Sequence, residues 1–413
     1  MIDFSVFSLK NGLTVIHHQD TNSKLCVLNL LYKVGSKNED PEKTGFAHLF
    51  EHLMFGGSVH VKDFDTEIQL AGGDNNAFTS NDITNYYITV PANNIETAFW
   101  LESDRMLALD FNQKSLDVQK AVVIEEFKER YINQPYGDVW LHLLPLAYKV
   151  HPYKWPTIGK DFSHIEKATL EDVKNFFYGY YAPNNAILVI SGNIDLAETK
   201  RLSEKWFGPI APRNLLHKPY SKEPKQAEKR SAHIYNDVPL DMIVMAFHIC
   251  DRMHDDFYAV DLLTDVLGSG KSSRLYSRLL KEKKLFSEID CYHSGDAEEG
   301  LLIVEGKLIQ GVALDTAEAE ITAVLEELKQ QTISTEELEK VKNKTETNIR
   351  FNDIGVLNKA MKIAYAAYFG DVNLVNEEAD KYLAVETQDI MRVAQSYLNT
   401  NNCNILFYHA KNE

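Results

Sequence analysis

Two distant stretches of this 413-residue chain carry one pattern. Residues 169–193 (TLEDVKNFFYGYYAPNNAILVISGN) read as an amphipathic helix, a break at Pro183-Asn184-Asn185 and a buried apolar strand. Residues 387–410 (TQDIMRVAQSYLNTNNCNILFYHA) keep that order, with Asn401-Asn402 standing 217 residues after Asn184-Asn185. A second pair, HLFEHLMFGG at 48–57 and DLLTDVLGSG at 261–270, is offset by 213 residues. Near-equal offsets predict two halves of common architecture. The length agrees, because one hydrophobic core stops growing well below this size. The expected division is 1–208 and 232–413, joined by 209–231, where proline and charge abound and periodicity is weak. Strands such as NYYITVP and AILVISG have hairpin-like neighbours and do not alternate strictly with helices. The expected fold class is therefore α+β, each half a largely antiparallel sheet packed with helices.

Composition removes several function classes. The formal net charge is −17, a poor start for neutralising phosphates, so nucleic acid is not an expected partner. No apolar run approaches the length that spans a bilayer, so no membrane partner is expected either. The first residues, MIDFSVFSLKNGLTV, lack a basic-then-apolar leader. That argues for the cytoplasm, or for the periplasm if an export signal has been removed. Cys26, Cys250, Cys291 and Cys403 are scattered without a C-x-x-C pair and read as reduced thiols. Gly270-Lys271-Ser272 imitates the end of a phosphate loop, but Asp265 stands where the first glycine belongs. A helix cap and turn is the better reading, and no nucleotide is expected.

The chemistry concentrates in GFAHLFEHLMFGG, residues 45–57. On a helix, Phe46, Leu49, Phe50, Leu53 and Met54 form one apolar stripe. His48 and His52, four apart, fall together on the opposite face, where two imidazoles can reach one metal ion. Glu51 sits beside the other edge of the stripe, near such a metal and free to hold its water. Gly56-Gly57 ends the helix. A solvated helix face would accept the same three residues, and a zinc site needs a third ligand and an open fourth position. The segment SLDVQKAVVIEEFKERY (115–131) offers that ligand, with Ser115 as N-cap and Leu116, the stem of Lys120, Val123, Ile124, Phe127 and Tyr131 as the buried stripe. Adjacent glutamates cannot point the same way. Glu125 falls nearly opposite the stripe, toward solvent, whereas Glu126 falls on its flank, which makes Glu126 the better ligand.

His48-x-x-Glu51-His52 followed by Glu126 resembles the pitrilysin (insulinase) family of inverted zinc peptidases. The blocks AGGDNNAFTSNDITNYYITVP, AVVIEEFKERYINQPYG, HPYKWPTIG and YYAPNNAILVISGNID extend the likeness, in order, over most of the chain. The resemblance implies two homologous domains in a clamshell, the processing-peptidase-like metallohydrolase fold. It implies one Zn2+ per chain on His48, His52 and Glu126, with Glu51 as general base and a peptide as substrate. It makes Asn76, Ala77, Phe78 and Thr79, which read as an edge strand, the segment that pairs with the substrate backbone.

Two departures qualify the likeness. Gln119 stands where the family has a glutamate that supports the site without binding metal. In the second half the family pattern Leu-Arg-Glu-x-x-Gly-Leu-x-Tyr supplies two donors to the reaction's oxyanion. Here Leu280 takes the arginine position and Ser287 the tyrosine position, unless a slip in register brings in Arg278 and Tyr292. The chain thus resembles in kind the catalytic subunit of two-subunit members such as the mitochondrial processing peptidase. The expected partner is a homologous subunit without zinc that carries the arginine and tyrosine, forming a heterodimer, or a second copy forming a homodimer. The alternative is a non-catalytic structural or peptide-binding subunit on the same fold.

Overall fold

The computed structural model describes residues 1–216, 219–295 and 297–411. Its residues divide into two compact units that interleave along the chain. One comprises Met1–Glu129, Trp155–Tyr220 and Arg350–Glu377; the other comprises Arg130–Lys154, Ser221–Ile349 and Glu378–Glu413.

The first unit is built on a six-stranded sheet of β1 (Ser5–Ser8), β2 (Thr14–Gln19), β3 (Leu25–Tyr32), β4 (Asp74–Thr79), β5 (Thr84–Pro91) and β6 (Ala186–Gly192), ordered β1-β2-β6-β3-β5-β4. The second has β7 (Arg230–Asn236), β8 (Met242–His248), β9 (Phe286–His293), β10 (Leu301–Leu308) and β11 (Cys403–Ala410), ordered β7-β11-β8-β10-β9. Setting β1 aside, the two orders are the same when β2 to β6 are matched in sequence with β7 to β11. In each sheet one pair is parallel, β2 with β6 and β7 with β11, and the other pairs are antiparallel. The class is α+β.

The repeat reaches individual hydrogen bonds. Asn185 Nδ2 donates to Tyr180 O at the end of helix Leu170–Tyr180, at 2.8 Å, and to Lys33 O just past β3, at 3.4 Å. Asn402, 217 residues on, donates to Tyr397 O at the end of helix Thr387–Tyr397 and to His248 O at the end of β8, both at 2.8 Å. In both units this amide answers a helix-end carbonyl left without an intrahelical partner and fixes the helix to its sheet.

One face of the first sheet is covered by a late segment. Helix Val356–Tyr368 packs on β3 and β6, burying Ala360, Ile363 and Ala364 against Ile16, Val27, Leu31, Ile187 and Val189. Lys359 pairs with Asp20 at 2.7 Å, and Asn376 exchanges hydrogen bonds with the backbone of Ile2. In the second unit, helix Val139–Ala147 buries Val139, Leu143 and Ala147 against Met242, Val244, Leu406 and Tyr408.

All four cysteines are buried and unbridged. Gly270-Lys271-Ser272 follows helix Phe257–Gly268, and the phosphate-loop fold would require a strand there. Among the described residues no helix is long and apolar enough to cross a membrane.

Candidate metal centre

Helix Phe46–Phe55 buries Phe46, Leu49, Phe50, Leu53 and Met54 and leaves His48, Glu51 and His52 half-buried on its other faces. Gly45 begins it in the left-handed region, φ +89°, where a Cβ would lie 2.5 Å from Ile158 O, so glycine is required. Gly56 ends it, donating to Leu53 O at 3.0 Å. Near that end Arg105, buried in a pair with Glu102, lies over the rings of Tyr86 and Phe64 and reaches Met54 O at 3.5 Å. A cation beside the last carbonyls suits the helix dipole.

The second helix runs Gln113–Phe127. Its N-cap is Asn112, not Ser115: the Asn112 side chain accepts from Ser115 N at 2.8 Å, so the helix starts earlier than the serine suggested. Leu116, Val123 and Phe127 are buried, and Lys120 Nζ donates to Ala168 O at 2.9 Å. Glu125 is 72% exposed and paired with Lys128. Glu126 turns the other way, to the two histidines.

His48 Nε2 and His52 Nε2 lie 3.6 and 3.4 Å from Glu126 Oε2. The two imidazoles stand edge to face, 4.9 Å apart. A tetrahedral ion with bonds near 2.0–2.2 Å separates its ligand atoms by about 3.3–3.5 Å. Two nitrogens and a carboxylate oxygen at this spacing are a donor set that fits zinc with a fourth position left over. The three side chains are 13%, 24% and 17% exposed, so the cluster is largely shielded without being sealed. Among the described residues this is the only group of three or more such side chains with metal-ligating spacing.

Glu51, one turn after His48 and immediately before His52, accepts from Thr79 Oγ1 at 2.6 Å. Thr79 ends β4, which is the outermost strand of its sheet, paired only to β5. Asn76, Ala77 and Phe78 precede it on that strand; Ala77 is buried and Phe78 stacks on Tyr365. Gln119 lies on the Glu126 helix, two turns earlier and on the same side.

The repeat positions of His48 and His52 are Asp261 and Asp265, on helix Phe257–Gly268 of the second unit. Asp261 is held by His293 at 2.9 Å and Tyr382 at 2.5 Å. In the same unit Leu280 packs against the core and Ser287 is exposed on β9. Arg278 is engaged by Glu327, and the Tyr292 hydroxyl donates to Glu305 at 3.0 Å. Lys284, at the glycine of the family pattern, has φ +54°.

Residues 14–161 match the family description "Insulinase (Peptidase family M16)", and residues 167–345 match "Peptidase M16 inactive domain". The chain belongs to the insulinase family, M16. Its relative in Helicobacter pylori, zinc protease PqqE, is 32% identical over 412 residues, covering 97% of this chain and 91% of that protein. The crystal structure of a protease from Helicobacter pylori superposes with a TM-score of 0.94 at 30% identity, over 99% of this chain and all of that one. Schizosaccharomyces pombe has a member named "Probable mitochondrial-processing peptidase subunit beta", 25% identical over 307 residues, 71% of this chain and 65% of that protein. Both matched M16 domains thus fall on a chain whose two sheets share one strand order.

Sequence reasoning did not find the Thr79–Glu51 bond, because Thr79 was read only as part of an edge strand. It also missed Glu39, which sits in an acidic stretch (ED, PEK) that reads as a solvated loop. The structure buries it at 5% exposure.

Proposed function

We propose that this chain is a zinc-dependent metalloendopeptidase that hydrolyses peptide bonds in unfolded peptides. The observation that carries the reading is the convergence of His48, His52 and Glu126 beside a glutamate that does not share their cluster. His48, His52 and Glu126 would hold the metal. Zinc, when bound, supplies the Lewis acidity that makes water a nucleophile near neutral pH. Glu51 accepts the proton that water gives up and returns it to the leaving amine. Thr79 donates to Glu51 Oε2 and so helps to orient that carboxylate. The open edge of β4 offers backbone groups to an extended substrate, and only an unfolded segment presents a strand to match it. Gln119 supports the helix face from which Glu126 projects.

Turnover on this reading needs donors from elsewhere. The Leu280 side chain has no N–H or O–H to offer an oxyanion, Ser287 donates to Lys307 O within its own sheet, and Arg278 and Tyr292 are engaged by carboxylates. A homologous partner or a second copy would bring the arginine and tyrosine. The name of the yeast relative, a subunit, supports that arrangement.

The test is Glu51→Gln. The amide cannot take a proton but leaves the three metal donors in place. Zinc content is expected to stay near one per chain while peptide cleavage is lost. Retained cleavage, or loss of zinc, would assign the base to another residue.

A further inference from the structure

A helix must satisfy its first N–H groups, and the usual means is a side chain at the N-cap. Helix Phe46–Phe55 has glycine there and no side-chain cap bond. Its cap comes from outside. Glu39 Oε2 accepts from Gly45 N at 2.9 Å and Glu39 Oε1 accepts from Ala47 N at 2.8 Å, so each carboxylate oxygen holds a different backbone group. A third donor, the indole of the buried Trp155, reaches Oε2 at 3.1 Å and also bonds Ser36 O. Two separate points of attachment fix both the rotation and the axial position of a helix end. Ala47 immediately precedes His48.

The arrangement is costly to keep. Burial pushes the Glu39 carboxyl upward, while the N–H donors aimed at both of its oxygens favour the charged form. An apolar residue would avoid that desolvation. What the carboxylate provides is alignment. The helix bearing Glu126 has its own anchors, Asn112 at its start and Lys120 on Ala168 O. The histidines therefore meet Glu126 only if the first helix is independently held, and functional sites tolerate displacements of only about 0.5 Å.

We propose that Glu39 is a positioning residue that locks the metal-bearing helix in the rotation and register at which His48 and His52 meet Glu126. The inference rests on the zinc-peptidase reading for its functional consequence. Glutamine is a poor substitute, because its NH2 would face one of the N–H donors, and aspartate is one methylene too short to reach both.

The test compares the zinc dissociation constants, by chelator competition, of wild type, Glu39→Gln and Asn29→Ala. Asn29 exchanges two hydrogen bonds with Asn85 between β3 and β5, is buried, and makes none of those bonds to the metal-bearing helix. Its variant therefore reports plain destabilisation. Glu39→Gln is expected to bind zinc about 10–100-fold more weakly, with kcat falling and KM changed little. Asn29→Ala is expected to keep the wild-type constant even at an equal loss of Tm. Should Glu39→Gln fail to fold, Trp155→Phe, which removes the third donor together with the indole's bond to Ser36 O, is expected to weaken zinc binding a few-fold. Unchanged zinc affinity in the Glu39 or Trp155 variant overturns the proposal, as does equal weakening in Asn29→Ala. If the wild type holds no zinc the peptidase reading fails separately. Amide exchange in residues 46–55 then decides: faster exchange confined to that helix in Glu39→Gln supports the anchor, and unchanged exchange overturns it.

Discussion

Thr79 shows how one hydroxyl can matter at the residue scale. Its Oγ1 donates to Glu51 Oε2 at 2.6 Å, a bond to a carboxylate and so stronger than one between neutral groups. Thr79→Val keeps the shape and the β-branch but removes the donor. On the proposed reading kcat falls by roughly 10-fold, the scale of one such bond, while zinc content is unchanged; Thr79→Ser restores most of the rate. Steady-state kinetics with metal analysis checks this, and a wild-type kcat in Thr79→Val would mean that the bond does not orient Glu51. The donor set itself was legible in the sequence. His48, Glu51 and His52 lie within five residues, where helical periodicity fixes their faces, and the same periodicity separates Glu126 from Glu125. The Thr79–Glu51 bond and the Glu39 anchor were not legible. Each joins groups on different elements, and nothing in a local pattern distinguishes a buried acid from a solvated one.

Among the elements, the most consequential placement is helix Val356–Tyr368, which comes late in the chain and covers the first sheet. The paired strand-and-helix pattern at 169–193 and 387–410 revealed that the architecture is duplicated. It carried no information on which helices cross between compact units, because amphipathic stripes state that a face is buried without naming the sheet that buries it. The Asp20–Lys359 pair fastens this helix, and its hydrogen bond to Lys359 holds the Asp20 carboxyl below its ordinary value of 3.8. Lys359→Met should lower Tm by about 2–6 °C at neutral pH, from roughly 1–2 kcal/mol of lost pairing. The sign with pH follows from the depressed value. The pair's contribution is complete above 3.8 and is lost as pH falls through the folded-state value. The Tm gap between wild type and variant should therefore hold from pH 7 to about 4 and close below that. A gap that persists undiminished at pH 3 would assign the effect to packing of the lysine stem.

For the whole molecule, the duplicated sheets carry unequal chemistry. The first unit holds the His48, His52 and Glu126 cluster; in the second, aspartates occupy the equivalent helix positions, and leucine and serine stand where the resemblance leads one to expect an arginine and a tyrosine. If a partner completes the site, the chain alone binds zinc but cleaves peptides slowly. Addition of a homologous subunit bearing the arginine and tyrosine should then raise kcat by about 10²–10³ or more, the scale of one oxyanion donor. Cleavage assays with the chain alone and with that subunit test this, and full activity at dilutions where the chain is monomeric would contradict it.

Every functional step above depends on one cluster, so metal stoichiometry tests the account most directly. Purified wild type, Glu126→Gln and Glu125→Gln should be dialysed against the same zinc buffer and assayed for bound metal. Glu126 lies 3.4–3.6 Å from both histidine nitrogens, whereas Glu125 is turned to solvent and paired with Lys128. The account predicts about one zinc per chain in wild type and in Glu125→Gln, and little or none in Glu126→Gln. Equal zinc in the two variants would contradict it.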